Sequence, residues 1–403
     1  MNVLYYLRRF PKLSESFVLN EIYELERAGH EVAVCALYRT DEELTHEEFG
    51  ELDVPIRYIE PPTYRNATEL LSIKALHPRI LRRAFHRLSP VDHVANLYRA
   101  RRCIEFVDDL DEGIDHVHTH FAMRTQFPAR YVAAYYGVPF TITTHANDLF
   151  SEPVGRYTGS LLRSADRIVT ISEYNREYIR NRFAEETPID VVRAGIRPEK
   201  FSPIVPTVDN RVLTVGRFVE KKGLEYALEA IDRVAERIPE VEYHVVGSGR
   251  RRDALERKVE KLGLESNVTF LNNVDDQQLR AEYAEARCFL LPCVVAESGD
   301  RDGIPVVLME AMATKTPAVS TRVSGIPELI DHEVNGLLTE PRDPTATAEA
   351  VVRLLRNDEE WSAYRTRAHE RVVSEFNIAT EVERLEASFE AARASDETTR
   401  YRD

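Results

Sequence analysis

Twice along this chain, short apolar runs that read as strands alternate with helical stretches, and this repetition constrains the fold more than any other feature. In the first half, strands are predicted at Asn2 to Leu7, Glu31 to Leu37, His116 to Thr119, Phe140 to Thr143 and Arg167 to Ile171, with a helix around Phe17 to Ala28. Phe201 to Asn210, which contains Pro203 and Pro206, breaks the pattern and reads as a linker. The alternation restarts with Arg211 to Val215, Glu242 to Val246, Val268 to Leu271, Cys288 to Leu291 and Ala318 to Thr321. Strands alternating with helices build parallel sheets covered by helices. An α/β fold is therefore expected, with one parallel-sheet domain over residues 1–205 and a second over 206–377. A final helix over 378–396 could pack back on the first domain. Open parallel sheets bind ligands beyond the carboxyl ends of their strands, which puts the expected cleft at the domain junction.

Composition narrows the functional classes. The 403 residues suffice for two or three domains with cores of their own. With 53 Lys+Arg against 68 Asp+Glu the net charge is −15, a field that disfavours nucleic acid as a partner. Only 8 of the basic residues are Lys, a bias that suits a high-salt cytosol. No apolar run reaches the roughly 18 residues of a membrane-crossing helix. The first strand starts at once, with no signal-like segment ahead of it, so a cytoplasmic location is expected. Cys35, Cys103, Cys288 and Cys293 form neither a CxxC pair nor a zinc spacing and read as buried free thiols.

The stretch Asp302-Gly-Ile-Pro-Val-Val-Leu-Met-Glu310-Ala-Met-Ala313 carries the most chemistry. Pro305 suits the first turn of a helix, where its missing N–H costs nothing. A helix starting there points unpaired amides and the positive end of its dipole at the strand ends, which favours a phosphate or diphosphate. At about 1.5 Å per helical residue, the Asp302 and Glu310 carboxylates stand too far apart to share a proton or flank one bond. They suit the two ends of an extended ligand. Spacing alone equally allows Asp302 as an acid near a helix N-cap and Glu310 as a surface residue. The turn Gly216-Arg217-Phe-Val-Glu-Lys-Lys222-Gly223 places the Arg217 fork and the mobile Lys222 charge at a strand end, as phosphate ligands or as a solvated basic turn. Gly247-Ser248-Gly249 lacks the third glycine of a dinucleotide fingerprint and indicates only a close backbone approach.

In the first half the candidates are His116, His118, His120 and His145, all at strand ends. Histidine can bond a sugar hydroxyl or exchange protons near neutral pH. His118 and His120 alternate as chelating residues do, yet no Cys or carboxylate cluster stands at a matching spacing, so no metal is expected. Asp109-Leu110-Asp111 lies in an acidic run and reads as a solvated loop. The segment Arg79 to Arg102 interleaves Arg79, Arg82, Arg83, Arg87, Arg99, Arg101 and Arg102 with apolar residues. It fits either an anionic membrane surface, including the phosphates of a lipid-linked acceptor, or a solvated helical face.

Taken in order, several segments together carry a resemblance: Phe10-Pro11-Lys-Leu-Ser14-Glu15-Ser16-Phe17, Gly29-His30-Glu31-Val32, His118-Thr-His120-Phe121, Thr144-His145, Ala165 to Ser172, Gly216 to Gly223, and Gly303 to Ala313. Over essentially its whole length the chain resembles the retaining, nucleotide-sugar-dependent glycosyltransferases of family 4, and within them the branch that makes colanic acid, amylovoran and related surface polysaccharides. The resemblance implies the GT-B fold, two Rossmann-like domains facing each other across a cleft. It implies hexosyl transfer from a UDP- or GDP-sugar to a hydroxyl of a glycan or polyprenyl-linked glycan at the inner membrane face, with no metal and no other cofactor. Arg217 and Lys222, beside Gly216, match the pair that grips the leaving diphosphate. Glu310 matches the second glutamate of the E-x7-E motif, which bonds the ribose. Asp302 stands where the first glutamate usually sits, contacting the transferred sugar beside the backbone of Gly303, Ile304 and Pro305. His145 matches the histidine near the hexose.

Two departures accompany this match. Asp302 is shorter than the usual glutamate by one methylene, with Glu297 and Asp300 close by in sequence. The glycine pair many relatives carry after the first strand is absent, which leaves Ser14 and Glu15, together with Arg82, Arg83 and Arg87, as acceptor or membrane candidates. The reading requires Arg217, Lys222 and the helix start at Pro305 to converge on one anion site opposite His145. The alternatives are a nucleotide-sugar epimerase or a phosphorylase of the same architecture, and a catalytically silent sugar-nucleotide-binding protein.

Overall fold

A computed structural model of the chain describes residues 1–40, 46–59, 78, 80, 88–151, 155–184, 186–202, 205–272 and 274–400. Most of the apolar runs become strands buried on both faces, the environment that favours near-continuous hydrophobic sequence over alternation, whereas Val268 to Leu271 forms a strand that is only partly buried. The first sheet comprises β1 (Asn2–Arg9), β2 (Glu31–Tyr38), β3 (Ile56–Tyr58), β4 (His116–His120), β5 (Phe140–Thr144), β6 (Arg167–Thr170) and β7 (Ile189–Val191). Its strands are all parallel, in the order β3-β2-β1-β4-β5-β6-β7. The second sheet comprises β8 (Val208–Val215), β9 (Glu242–Val246), β10 (Val268–Leu271), β11 (Ala286–Leu291), β12 (Ala318–Thr321) and β13 (Gly336–Thr339). It too is parallel, in the order β10-β9-β8-β11-β12-β13. Each sheet is doubly wound. The chain direction across the sheet reverses between β1 and β4 in the first and between β8 and β11 in the second, and the loops after those strands are the places where such sheets bind ligands.

The chain forms two compact units, Met1–Arg193 with the C-terminal segment from Glu381 onward, and Ala194–Thr380. The division therefore falls ahead of Phe201 to Asn210, not inside it. Val208 to Asn210 extend β8, with Val208 paired to Ala286. Upstream, Ile196 exchanges backbone hydrogen bonds with Phe376 and Ile378, of 2.9 and 2.8 Å, which ties the stretch before the prolines to the second unit. Gly195 lies so close to Ile378 that a Cβ would sit 2.7 Å from its backbone. The terminal helix Ile378–Arg400 is fastened to the first unit from Glu381 on. Glu381 accepts the Arg193 N–H at 2.7 Å, Glu386 meets His30 at 2.7 Å, and the Ser388 hydroxyl donates to Asp190 at 2.8 Å. Phe389 is fully buried against the His116 and His118 rings, with centroids 4.2 and 5.1 Å away. All four cysteines are buried free thiols.

Candidate functional site

In the second unit the site grows from the two loops at the strand-order reversal. The loop after β8 is held by Gly216 N–H on Val246 O at 3.0 Å and Phe218 N–H on Ser248 O at 2.8 Å. Gly247 has a φ of 137°, and a Cβ there would lie 2.1 Å from Gly216 O, so only glycine lets the two turns pack. Gly223, at φ 66°, leaves the same loop, and a Cβ on it would be 1.9 Å from Pro292 O. This closure folds Lys222 inward over Gly216, with its ammonium buried.

That ammonium meets a carboxylate. Lys222 Nζ is 2.8 Å from Asp302 Oδ2, and Lys221 Nζ is 3.4 Å from Asp302 Oδ1 and 3.1 Å from Asp300. The Cys293 thiol lies 3.6 Å from Asp302 Oδ2. Burial disfavours the charged Asp302 carboxylate, but Lys222 and Lys221 outweigh it and hold its pKa well below the usual carboxylate range. Burial likewise opposes the Lys222 ammonium, and Asp302 and Cys293 more than offset it, so its pKa is raised. Arg217 works in the opposite direction on Lys222, as a like charge does. Its own side chain is exposed and forms no ion pair among the described residues.

The helix that follows runs Val306–Ala313, with Pro305 as its N-cap at φ −64°, ψ 123° and no side-chain cap. Pro305 is thus one position ahead of the first helical turn in which it was expected, because Gly303 to Pro305 continue the loop from Asp302. Glu310 is half-buried one turn on, and its carboxylate accepts the Tyr283 hydroxyl at 2.6 Å. Asp302 and Glu310 have separate partners, as their spacing requires. The Asp302 carboxylate, read from sequence as a sugar ligand, is engaged by the two lysines. Its short side chain keeps it at the level of their ammonium groups.

In the first unit, β4 and the end of β5 assemble a histidine array. His116 and His118 share the Thr141 hydroxyl, each at 2.7 Å, and the other His118 nitrogen meets Thr143 at 3.0 Å. His120 Nδ1 is 3.0 Å from His145 Nε2, and His120 Nε2 is 3.0 Å from Glu21 Oε1. The same carboxylate oxygen accepts the Tyr5 hydroxyl at 2.6 Å. Burial depresses the pKa of His116 to about 3 and holds His118 and His145 well below the ordinary value. Asp148 is fully buried and accepts the N–H groups of His145 and Ala122 at 2.8 and 2.7 Å; burial lifts its pKa to about 7 against those bonds.

Sequence spacing shows no carboxylate partner for His118 and His120, and the fold supplies one from a distant helix. Glu21, His118 and His120 each offer a ligand atom, all within 4.8 Å of one another, although each also has a hydrogen-bonding partner in the protein. Glu21 comes from the helix Ser16–Arg27, where it shares a face with buried Val18, Ile22 and Leu25. A carboxylate on an apolar helical stripe is the signal that could have found it. Tyr283, Tyr5 and Lys221 carried no comparable signal. Of the acceptor candidates, Ser14 is exposed on the 3-10 turn Leu13–Glu15 and Glu15 pairs with Lys12. Arg82, Arg83 and Arg87 lie outside the described residues. Farther along the basic segment, Arg101 and Arg102 share Glu105 as an ion-pair partner, at 2.9 and 2.7 Å, on their own helix, Pro90–Asp108.

Among the described residues no helix is long and apolar enough to cross a membrane. The chain matches the family model described as Glycosyl transferases group 1 over residues 209–357 and that described as Glycosyl transferase 4-like domain over residues 14–195. It is 30% identical over 393 residues to a putative colanic acid biosynthesis glycosyltransferase, WcaL, of Salmonella typhimurium, covering 94% of this chain and 96% of that protein. It is 28% identical to the amylovoran biosynthesis glycosyltransferase AmsK of Erwinia amylovora, with the same coverage. Among solved structures, Anabaena Alr3699/HepE, in complex with UDP and glucose, superposes with a TM-score of 0.75 at 15% identity, covering 97% of this chain and 99% of that one. Sucrose-phosphate synthase from Thermosynechococcus elongatus gives 0.73 at 20% identity, covering 97% and 100%. These likenesses establish the GT-B fold.

Proposed function

The chain belongs to the group 1, family-4-like glycosyltransferases, and from that premise we propose that it moves a hexosyl group, with retention, from a nucleotide-diphosphate sugar to a hydroxyl of a glycan or lipid-linked glycan in surface polysaccharide synthesis. The observation that carries this reading is the cationic loop of the second unit. Arg217 is exposed and forms no ion pair among the described residues, its charge acts on Lys222, and the uncapped helix start at Val306 follows Asp302, the partner of Lys222, after Gly303 to Pro305. Cations and unsatisfied amides aimed at a leaving diphosphate stabilise charge as it develops on the phosphate oxygens.

The other roles follow from the family resemblance. Glu310, oriented by Tyr283, takes the ribose hydroxyls. His145 takes a hydroxyl of the transferred sugar, and the backbone of Gly303 and Ile304 supports it. The leaving phosphate oxygen removes the acceptor proton on the front face, so the C1–O bond to the phosphate breaks as the bond to the acceptor oxygen forms on the same face. Asp302 acts through Lys222, holding the ammonium at the end of β8 until the diphosphate displaces the carboxylate from it. No metal is called for, because fixed cations supply the neutralisation. UDP- and GDP-sugars are the donor classes to test. The WcaL and AmsK likenesses favour a role in surface polysaccharide synthesis, and the family resemblance adds a polyprenyl-linked glycan at the inner membrane face as the acceptor.

The test uses purified protein with a panel of radiolabelled nucleotide sugars and lipid extract. Transfer with the same anomeric configuration is expected for one donor. Arg217→Ala should then lower kcat by about 10²–10³ with little change in acceptor KM. Unchanged turnover would remove Arg217 from the diphosphate, and absence of transfer from every donor would end the proposal.

A further inference from the structure

We propose that Glu21 fixes the tautomer of His145 through His120, so that His145 keeps a bare Nδ1 and accepts a hydrogen bond from a ligand hydroxyl rather than donating one. The argument is an accounting of protons. A carboxylate oxygen only accepts, and Glu21 Oε1 has two neighbours, the Tyr5 hydroxyl at 2.6 Å and His120 Nε2 at 3.0 Å. His120 must therefore carry its proton on Nε2, since the opposite tautomer would set a lone pair against the carboxylate. With one proton in place, His120 Nδ1 is bare and can only accept. The atom 3.0 Å from it is His145 Nε2, which must donate. A neutral imidazole has a single N–H, so His145 Nδ1 is left as an acceptor.

Geometry holds this arrangement. The His145 ring is packed by Phe17 and Phe121, with centroids 4.6 and 4.4 Å away, and its backbone N–H is fixed on Asp148. Phe121 adopts a left-handed φ of 68°, uncommon for an aromatic residue, with its N–H on Thr143 O at 2.8 Å. Gln126 anchors the His120 carbonyl at 2.9 Å. His118 stands outside the chain of protons, because threonine hydroxyls occupy both its nitrogens and its Nε2 is 3.9 Å from Glu21. Glu21 and His120 are thus positioning residues, reaching the ligand only through His145. The proton arrangement stands on its own; its consequence for sugar binding rests on the proposed role of His145.

The experiment is a long-range proton–nitrogen NMR correlation on histidine-labelled full-length protein at about pH 8, above the ordinary histidine pKa. The His145 signals are assigned by their loss in His145→Gln. Wild-type protein should show a protonated Nε2 and a bare Nδ1 for His145 and for His120. Tyr5→Phe, which removes only the competing donor, should preserve that pattern. Glu21→Met, which removes the acceptor, should give His145 both tautomers. A wild-type spectrum with a protonated Nδ1 on His145 overturns the proposal even where Glu21→Met does not fold, and so does a Glu21→Met spectrum with His145 unaltered. With a donor in hand, Glu21→Met should lower kcat/KM about tenfold. It should have no such effect on a donor lacking the contacted hydroxyl. The required tautomer without transfer from any nucleotide sugar would defeat the proposed function and leave this inference intact; transfer with the opposite tautomer would do the reverse.

Discussion

Replacing Asp302 by Asn tests the electrostatics of the second unit most directly. The change keeps the side chain's shape and removes a charge that touches two buried ammonium groups, at 2.8 Å from Lys222 and 3.4 Å from Lys221. Lys221 keeps Asp300 at 3.1 Å, so Lys222 is the group left uncompensated. Its side chain is 11% exposed, and that of Asp302 14%, so water screens little of the pair. Breaking a buried pair on one side costs about 3–5 kcal/mol. The amide oxygen of Asn retains one hydrogen bond from the ammonium, which puts the expectation at the lower end, about 3 kcal/mol. For a unit the size of Ala194–Thr380 that corresponds to a fall in Tm of about 6–12 °C.

The sign with pH follows from the two shifts. Asp302 has a folded pKa below its unfolded value, so its contribution is complete above the unfolded pKa near 3.9 and fades as pH drops toward the depressed folded value. Lys222 has a raised folded pKa, so its contribution is complete below about 10.4 and fades as pH rises through the folded value. Calorimetry of wild type and Asp302→Asn should show a constant gap from about pH 5 to 9 that closes on the acid side. Inorganic pyrophosphate provides the second arm. An anion that must displace Asp302 from Lys222 should stabilise the variant more than wild type, by mass action on a freed cation. Equal melting points, or equal stabilisation by pyrophosphate, would refute the view that Asp302 and a diphosphate compete for one ammonium.

Two further changes probe parts of the fold that serve the site. Tyr283→Phe removes the hydroxyl that orients Glu310 and should raise the nucleotide-sugar KM by about three- to tenfold with kcat little altered, read by steady-state kinetics. Phe389→Ala empties a fully buried position over His116 and His118 and should cost the first unit about 3–5 kcal/mol, seen as a lower urea midpoint, whereas a surface site on the same helix would cost almost nothing.

The sequence by itself determined the kind of fold and much of the chemistry. Apolar runs are local features of the sequence, which is why β9, β10 and β12 were legible to the residue. The glycine turns after β8 and β9, and the charged residues at the strand ends, are local as well. The short strands β3, β7 and β13 were not legible: each lies at the edge of its sheet and carries a charged residue or a glycine (Arg57, Asp190, Gly336), so pairing with its one neighbour is what makes it a strand. The prolines of Phe201 to Asn210 marked a break in pattern, but pairing with β11 drew Val208 into β8. Tertiary structure alone decided which groups meet. Glu21 and His120, 99 positions apart, are neighbours because β1 and β4 adjoin in the sheet and the helix after β1 lies over both. Asp302 reaches Lys222 because β8 and β11 adjoin in the other. Strand order is fixed by packing of the whole sheet, and the charge state and proton position of each side chain follow from the atoms that order brings within about 3 Å, which no local pattern encodes.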